Sequence, residues 1–156
     1  MVFSLNPAEA EGAEVGHEGR EGSEGHEGWR RLSPELEALS REVVDAGLKV
    51  HRALGPGLLE SVYEQCLVHE LRARGRIVAS QVPVPVRYEG IKLEVGYRLD
   101  VLVEDVLIIE VKATENILRL YEAQLLTYLR LSGRRLGILM NFNVELFKRG
   151  LRRVVL

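Results

Sequence analysis

The stretch Val95-Gly-Tyr-Arg-Leu-Asp100-Val-Leu-Val-Glu104-Asp105-Val-Leu-Ile-Ile-Glu110-Val-Lys112-Ala113 decides how this chain is read. It divides into two strand-like runs, residues 95–103 and 106–113, with Glu104 and Asp105 between them as a turn. In the second run Val106, Leu107, Ile108, Ile109 and Val111 are interrupted only by Glu110 and Lys112, the pattern of a strand buried on both faces. A carboxylate or an ammonium in such a strand is costly unless it finds a partner or a metal. Residues two apart on a strand project to the same face, roughly 6.6–7 Å apart, so Glu110 and Lys112 share one pocket and Val111 points away from it. A hairpin through Glu104 and Asp105 sets Asp100 across from that pocket. Asp100, Glu110 and Lys112 then surround one point, a set able to hold a divalent cation. The ordinary alternative for such a triplet is a cross-strand ion pair on an exposed face.

Working outward, residues 115–132 read as a long helix stopped by Gly133, and residues 136–142 as an apolar strand. A strand, a helix and a second strand in that order form a crossover, which makes the two strands parallel and the sheet mixed. The last residues, 144–156, read as one short hairpin carrying Lys148, Arg149, Arg152 and Arg153. Towards the N-terminus, Ser33 is a good N-cap before Pro34, Glu35 and Glu37, so a first helix runs from there to about Leu54. Gly55, Pro56 and Gly57 break the chain, and a second helix follows over about residues 58–74 with Gly75 as its stop. Its stripe of Leu59, Val62, Tyr63, Cys66, Leu67 and Leu71 is expected to face the core. A strand over residues 82–88 carries Pro83 and Pro85, which confine it to an edge or a bulge, and Glu89 with Gly90 turn the chain into the decisive stretch. The fold class is α/β (α+β), a central mixed sheet flanked by helices.

Composition sets the outer limits. At 156 residues with 46% hydrophobic content, one domain with a real core accounts for the chain. Residues 1–30 are read as a disordered acidic tail and 31–156 as the folded domain. The first 28 residues hold seven glutamates against one arginine, with glycine at every third position from Gly16 to Gly28 and almost no apolar content to repay ordering. The proline of a collagen repeat is missing between Gly16 and Gly28, and His17 and His26 read as solvated side chains. The rest holds 20 basic against 16 acidic residues, a mildly basic globule compatible with nucleic acid. Cys66 alone rules out an internal disulfide. No apolar run approaches the ~20 residues of a membrane span and no signal peptide is visible, so a cytoplasmic protein is expected.

Two helical residues join the charged set as candidates. Glu60 lies in the first turn of the second helix, where the bland role is stabilising the helix dipole by about 0.3–1 kcal/mol. Gln124 lies among Leu120, Leu125, Leu126 and Leu129, and is a site candidate if it faces the sheet.

Taken together, Gly57-Leu-Leu-Glu60-Ser-Val-Tyr63, Asp100, Glu110-Val-Lys112, Gln124-Leu-Leu-Thr-Tyr128 and Asn141-Phe142 resemble the GxxExxY proteins, a branch of the PD-(D/E)XK nuclease-like superfamily. The resemblance covers about residues 38–156. Leu99 stands in place of the superfamily's namesake proline, and Asn143 where the family usually has glycine. What the resemblance implies is a restriction-endonuclease-like core with a phosphodiesterase site. Asp100 and Glu110 would ligate Mg2+ or Mn2+ together with the Val111 carbonyl, and Glu60 would contact the ion directly or through water. Lys112 would be the catalytic base or an electrostatic stabiliser, with a lowered pKa beside the metal. Gln124 would position lysine or substrate.

The leading expectation is therefore a Mg2+-dependent nuclease acting on DNA. Its alternative is a nucleic-acid or protein-binding module that kept the fold and lost turnover, against which the intact charged set argues. Arg119, Arg130, Lys148, Arg149, Arg152 and Arg153 are the expected contacts to the phosphate backbone. No aromatic interleaving points to base stacking, and a homodimer or a protein partner is a further expectation.

Overall fold

The computed structural model describes residues 31–156, so the acidic tail expected over residues 1–30 lies outside the described residues. Three helices, α1 (Pro34–Leu54), α2 (Glu60–Ala73) and α3 (Arg119–Ser132), flank five strands, β1 (Val78–Tyr88), β2 (Ile91–Val103), β3 (Leu107–Lys112), β4 (Leu136–Asn141) and β5 (Leu151–Val155). The strands form one sheet in chain order, β1-β2-β3-β4-β5. Only β3 and β4 are parallel, in the register Leu107 with Leu136 to Lys112 with Asn141; the other neighbours run antiparallel. The expected mixed sheet with its α3 crossover is the observed one.

Local chemistry accounts for most boundaries. The Ser33 hydroxyl accepts the Leu36 N–H at 3.2 Å, Pro34 opens α1, and Gly55 closes it at a positive φ of 66°, which glycine adopts without strain. Glu104 and Asp105 both take positive φ, as the tight turn between right-twisted strands requires. β1 is an edge strand whose pairing with β2 shifts between Val84 and Val86, so Pro83 and Pro85 lie at both permitted kinds of position.

Two cores sandwich the sheet. Leu39, Val43, Ala46 and Val50 of α1 with Tyr63, Leu67 and Leu71 of α2 pack on Val101, Ile109, Val111, Ile138 and Met140. On the opposite face, Leu125, Tyr128 and Leu129 of α3 cover Leu99, Leu102, Ile108 and Leu139. Alternation along β3 therefore turns Ile108, Glu110 and Lys112 towards α3 and Ile109 and Val111 towards α1 and α2.

Three expectations need correction. Leu59 is 73% exposed and Val62 36% exposed, because the first turn of α2 reaches past the core to the end of β3 and its apolar residues stay uncovered. Helix α3 starts at Arg119 and not near Glu115, because the connection spends its backbone groups elsewhere. Asn141, itself buried, accepts the Thr114 N–H at 3.0 Å and donates to the Thr114 carbonyl at 2.8 Å. The C-terminal residues do not form a hairpin of their own. A single 3-10 turn, Phe147–Gly150, brings β5 back to pair with β4. His51 ties down that connection by donating from Nε2 to the Val144 carbonyl at 2.7 Å, which fixes the proton on that nitrogen.

Candidate active site

The end of β3 collects charge from three elements. Glu110 is 4% exposed, and its Oε1 accepts from the Lys112 ammonium at 3.0 Å. Across the ladder the Asp100 carboxylate accepts the Val111 N–H at 2.8 Å, a bond in which a side chain replaces the next backbone carbonyl of β2. Glu60, exposed at the start of α2, reaches the same strand end and accepts the Ala113 N–H at 3.2 Å. Glu60 is held there by its neighbour one turn on. The Tyr63 hydroxyl donates to the Gly55 carbonyl at 2.6 Å and accepts the Leu58 N–H at 3.1 Å, while its ring stacks on Phe142 at 4.6 Å. The glycine-rich break, Glu60 and Tyr63 thus form one positioning unit.

The local pleat is broken where Asp100 sits. β1 and β2 keep their register through Ser80 with Val101 and Val82 with Leu99, yet the faces exchange. Val78, Val101 and Val103 enter the first core, whereas Val82, Val84 and Leu99 enter the second. Unbroken alternation keeps residues an even number apart on one face. Gln81, opposite Asp100, lies between them at φ 54°, a conformation costing a non-glycine residue about 1–3 kcal/mol. Its amide donates to Glu64 at 2.9 Å and also faces Asp100. Sequence reasoning singled out neither Gln81 nor Glu64 as a site residue. A polar residue inside a valine- and proline-rich edge run was the one signal available.

The electrostatics follow from three carboxylates facing one ammonium. Burial raises the Glu110 pKa to about 7, and the Asp100 charge adds to it; Lys112 offsets this only in part. Asp100 is raised as well, by burial first, against the lowering effect of the Val111 N–H and Lys112. For Lys112 burial acts downwards, but the charge and hydrogen bond of Glu110, with Glu60 and Asp100, outweigh it and the net shift is up. The shift of Lys112 is thus opposite to the lowering expected of a lysine beside a metal. The second Glu110 oxygen, Oε2, is buried without any hydrogen-bond partner. Hard carboxylate oxygens, one of them orphaned, with net negative charge, suit a hard divalent cation. Among the described residues, no three acidic, histidine or cysteine side chains already enclose such an ion, since Glu110 is turned to Lys112.

The remaining candidates divide. Gln124 is half-buried on α3, makes no hydrogen bond to Lys112, and lines a cleft with Tyr97, Leu120, Ala123, Thr127 and Tyr128. Arg119 opens α3, and Lys148 with Arg149 lie exposed in the 3-10 turn just beyond the end of β4, next to the Lys112 end of the sheet. Arg152 pairs with Leu139, level with Glu110 and on the same face, about 10 Å away across two strand spacings. It approaches Glu122 of α3 at 3.6 Å. Arg153 points to the other face, where it pairs with Glu37 of α1. Arg130 lies eleven residues beyond Arg119, about 16 Å along the helix and near the far end of the sheet. The expected basic set is therefore split, because adjacent strand residues face opposite ways and a helix carries its last turn away from the site.

A mixed sheet covered by helices on both faces, with an aspartate and a Glu-x-Lys set where its central strands end, defines a nuclease-type domain of the restriction-endonuclease-like kind. A family model described as the PD-(D/E)XK nuclease superfamily matches residues 37–154, and the chain belongs to that superfamily. No curated protein matches the chain, and no solved structure does. Among the described residues, no helix is long and apolar enough to cross a membrane.

Proposed function

We propose that this protein is a divalent-metal-dependent nuclease, using Mg2+ or Mn2+ to hydrolyse phosphodiester bonds of DNA. The observation that carries this reading is the orphaned Glu110 Oε2, buried inside a cluster with more negative charge than Lys112 can neutralise. Asp100, Glu110 and the Val111 carbonyl would hold the ion, with Glu60 bound directly or through water. When bound, such an ion supplies Lewis acidity to a phosphate oxygen and a water that deprotonates near neutral pH. The carboxylates of Asp100 and Glu60 each accept one backbone N–H, and a carboxylate has lone pairs to spare for a second partner.

Of the two roles open to Lys112, its raised pKa favours the electrostatic one: a retained ammonium beside the developing phosphate charge. Gln124, which does not touch the lysine, is assigned to the substrate side. Arg119, Lys148, Arg149 and Arg152 would be the cations that meet a phosphate backbone, and the family membership of the chain supports that partner.

The test is cleavage of labelled single-stranded, duplex and branched DNA with Mg2+ or Mn2+, comparing wild type, Asp100→Ala and Lys112→Ala. Both variants are expected to lose cleavage while keeping their far-UV spectrum. A folded, metal-binding wild type that cleaves none of these substrates refutes hydrolysis and leaves the binding module.

A further inference from the structure

The β1–β2 hairpin is longer than the sheet it belongs to. β3 pairs with β2 only from Val101 to Val103, while β1 follows β2 out to the pair Tyr88 with Ile91. Residues 82–99 therefore run on as a two-stranded ribbon past the Lys112 end of β3. Beyond the break at Gln81 and Asp100 the ribbon leaves Tyr88, Ile91, Leu93 and Tyr97 exposed, and Tyr97 reaches α3. Tyr97 is 44% exposed, and its ring meets that of Tyr128 at 5.2 Å with the planes tilted by 52°. Between ribbon and helix lies a cleft of about 250 Å³, lined by these two rings, Leu120, Ala123, Gln124 and Thr127. Sites for drug-sized ligands run to roughly 300–1,000 Å³, so this cleft suits one small planar group.

The chemistry of its walls is specific. Gln124 has both amide functions without a hydrogen-bond partner, a donor and an acceptor side by side, as the edge of a nucleobase demands. Tyr121, Gln124 and Tyr128 share one side of α3 by helical spacing, and Lys112 Nζ lies 5.3 Å from the Tyr121 ring centre. A planar group against Tyr97 and Gln124 is thus about one helical turn from the charged site.

We propose that the Tyr97–Gln124–Tyr128 cleft is a subsite for one unstacked nucleobase, which holds an unpaired nucleotide of a DNA strand beside the Lys112 site. The cleft's link to cleavage rests on the nuclease reading; its capacity to bind a base does not. Bases inside a duplex are stacked and paired on both sides and cannot enter, so the substrate class is single strands, overhangs or flaps.

Binding of the full chain in EDTA to DNA carrying 2-aminopurine, a fluorescent adenine analogue, tests this without turnover. The analogue is offered in a single strand, in a duplex and as the free nucleotide. Quenching and tight binding are expected with the single strand alone. Tyr97→Ala should weaken that binding at least about fivefold, and Tyr97→Phe, which keeps the ring, should restore it. Both variants should melt with the wild type, since the ring is half-exposed. Equal binding of single strand and duplex, or an unchanged affinity in Tyr97→Ala, overturns the subsite. Quenching of the free nucleotide as strong as that of the strand overturns its assignment to a DNA strand. Base binding without any cleavage leaves the subsite standing and removes the nuclease; cleavage indifferent to Tyr97 does the reverse.

Discussion

Replacing Glu110 by glutamine keeps the shape of a buried side chain and its acceptor towards Lys112, and removes a charge that the folded protein carries at a cost. An unfolded glutamate titrates near 4.5, whereas burial, and then the Asp100 charge, bring the folded group to about 7. Between those values the native state binds more protons than the unfolded state, so stability is full below about pH 4.5 and falls as pH rises towards 7. At ~1.4 kcal/mol per pH unit, the gap amounts to about 3 kcal/mol at pH 8. Glu110→Gln escapes that loss. Urea denaturation in EDTA should find the variant about 3 kcal/mol more stable than wild type at pH 8 and nearly equal to it at pH 4.5. Mg2+ should close most of that gap. A hundredfold excess over Kd stabilises the wild type by ~2.7 kcal/mol and leaves the variant almost unchanged. Equal stabilities of the two metal-free proteins at pH 8 would refute the argument that Glu110 is held ionised against its environment.

Other perturbations read the supports of the site. Tyr63→Phe keeps the stack on Phe142 but frees the Gly55 carbonyl and the Leu58 N–H; a loss of about 1–2 kcal/mol in chemical denaturation is expected, with a larger fractional loss of cleavage because Glu60 loosens. Asn141→Ala strips the Thr114 N–H, the Thr114 carbonyl and the Asn143 N–H of their side-chain partner, and should cost about 3 kcal/mol in the same assay. Gly150→Ala would set a methyl group 2.1 Å from the Asn141 carbonyl oxygen, a backbone atom that cannot swing aside. A fall of more than about 2 kcal/mol, or failure to accumulate folded protein, is expected, and a variant melting with the wild type would show that the 3-10 turn can move.

Much of the fold was legible because its signals are local. Ser33, Pro34 and Gly55 bound α1 by satisfying or ending its own hydrogen bonds, and the run from Leu107 to Val111 announces a doubly covered strand by composition alone. The turn at Glu104 and Asp105 likewise sets Asp100 opposite Glu110 through pairing next in sequence. Where the reading went astray, a distant residue had intervened. Asn141 takes up the backbone of Thr114 and delays α3. The reach of α2 beyond the core leaves Leu59 and Val62 in solvent, although their spacing is that of a buried stripe. The contact of Tyr97 with Tyr128 is likewise invisible in the sequence, because the two are far apart in the chain and meet only when the ribbon folds over α3.

By itself, then, the sequence determined the order of elements, the mixed sheet, and the presence of Asp100, Glu110 and Lys112 at one strand end, since alternation, capping and turn chemistry are properties of neighbouring residues. Only the tertiary structure decided which of the charges act together. It brought Glu60 to Ala113, turned Arg153 and Arg130 away, reversed the pleat at Gln81, and left Glu110 Oε2 without a partner. The physical reason is that burial and charge balance are sums over whatever surrounds a group, and those surroundings are assembled from elements far apart in the chain.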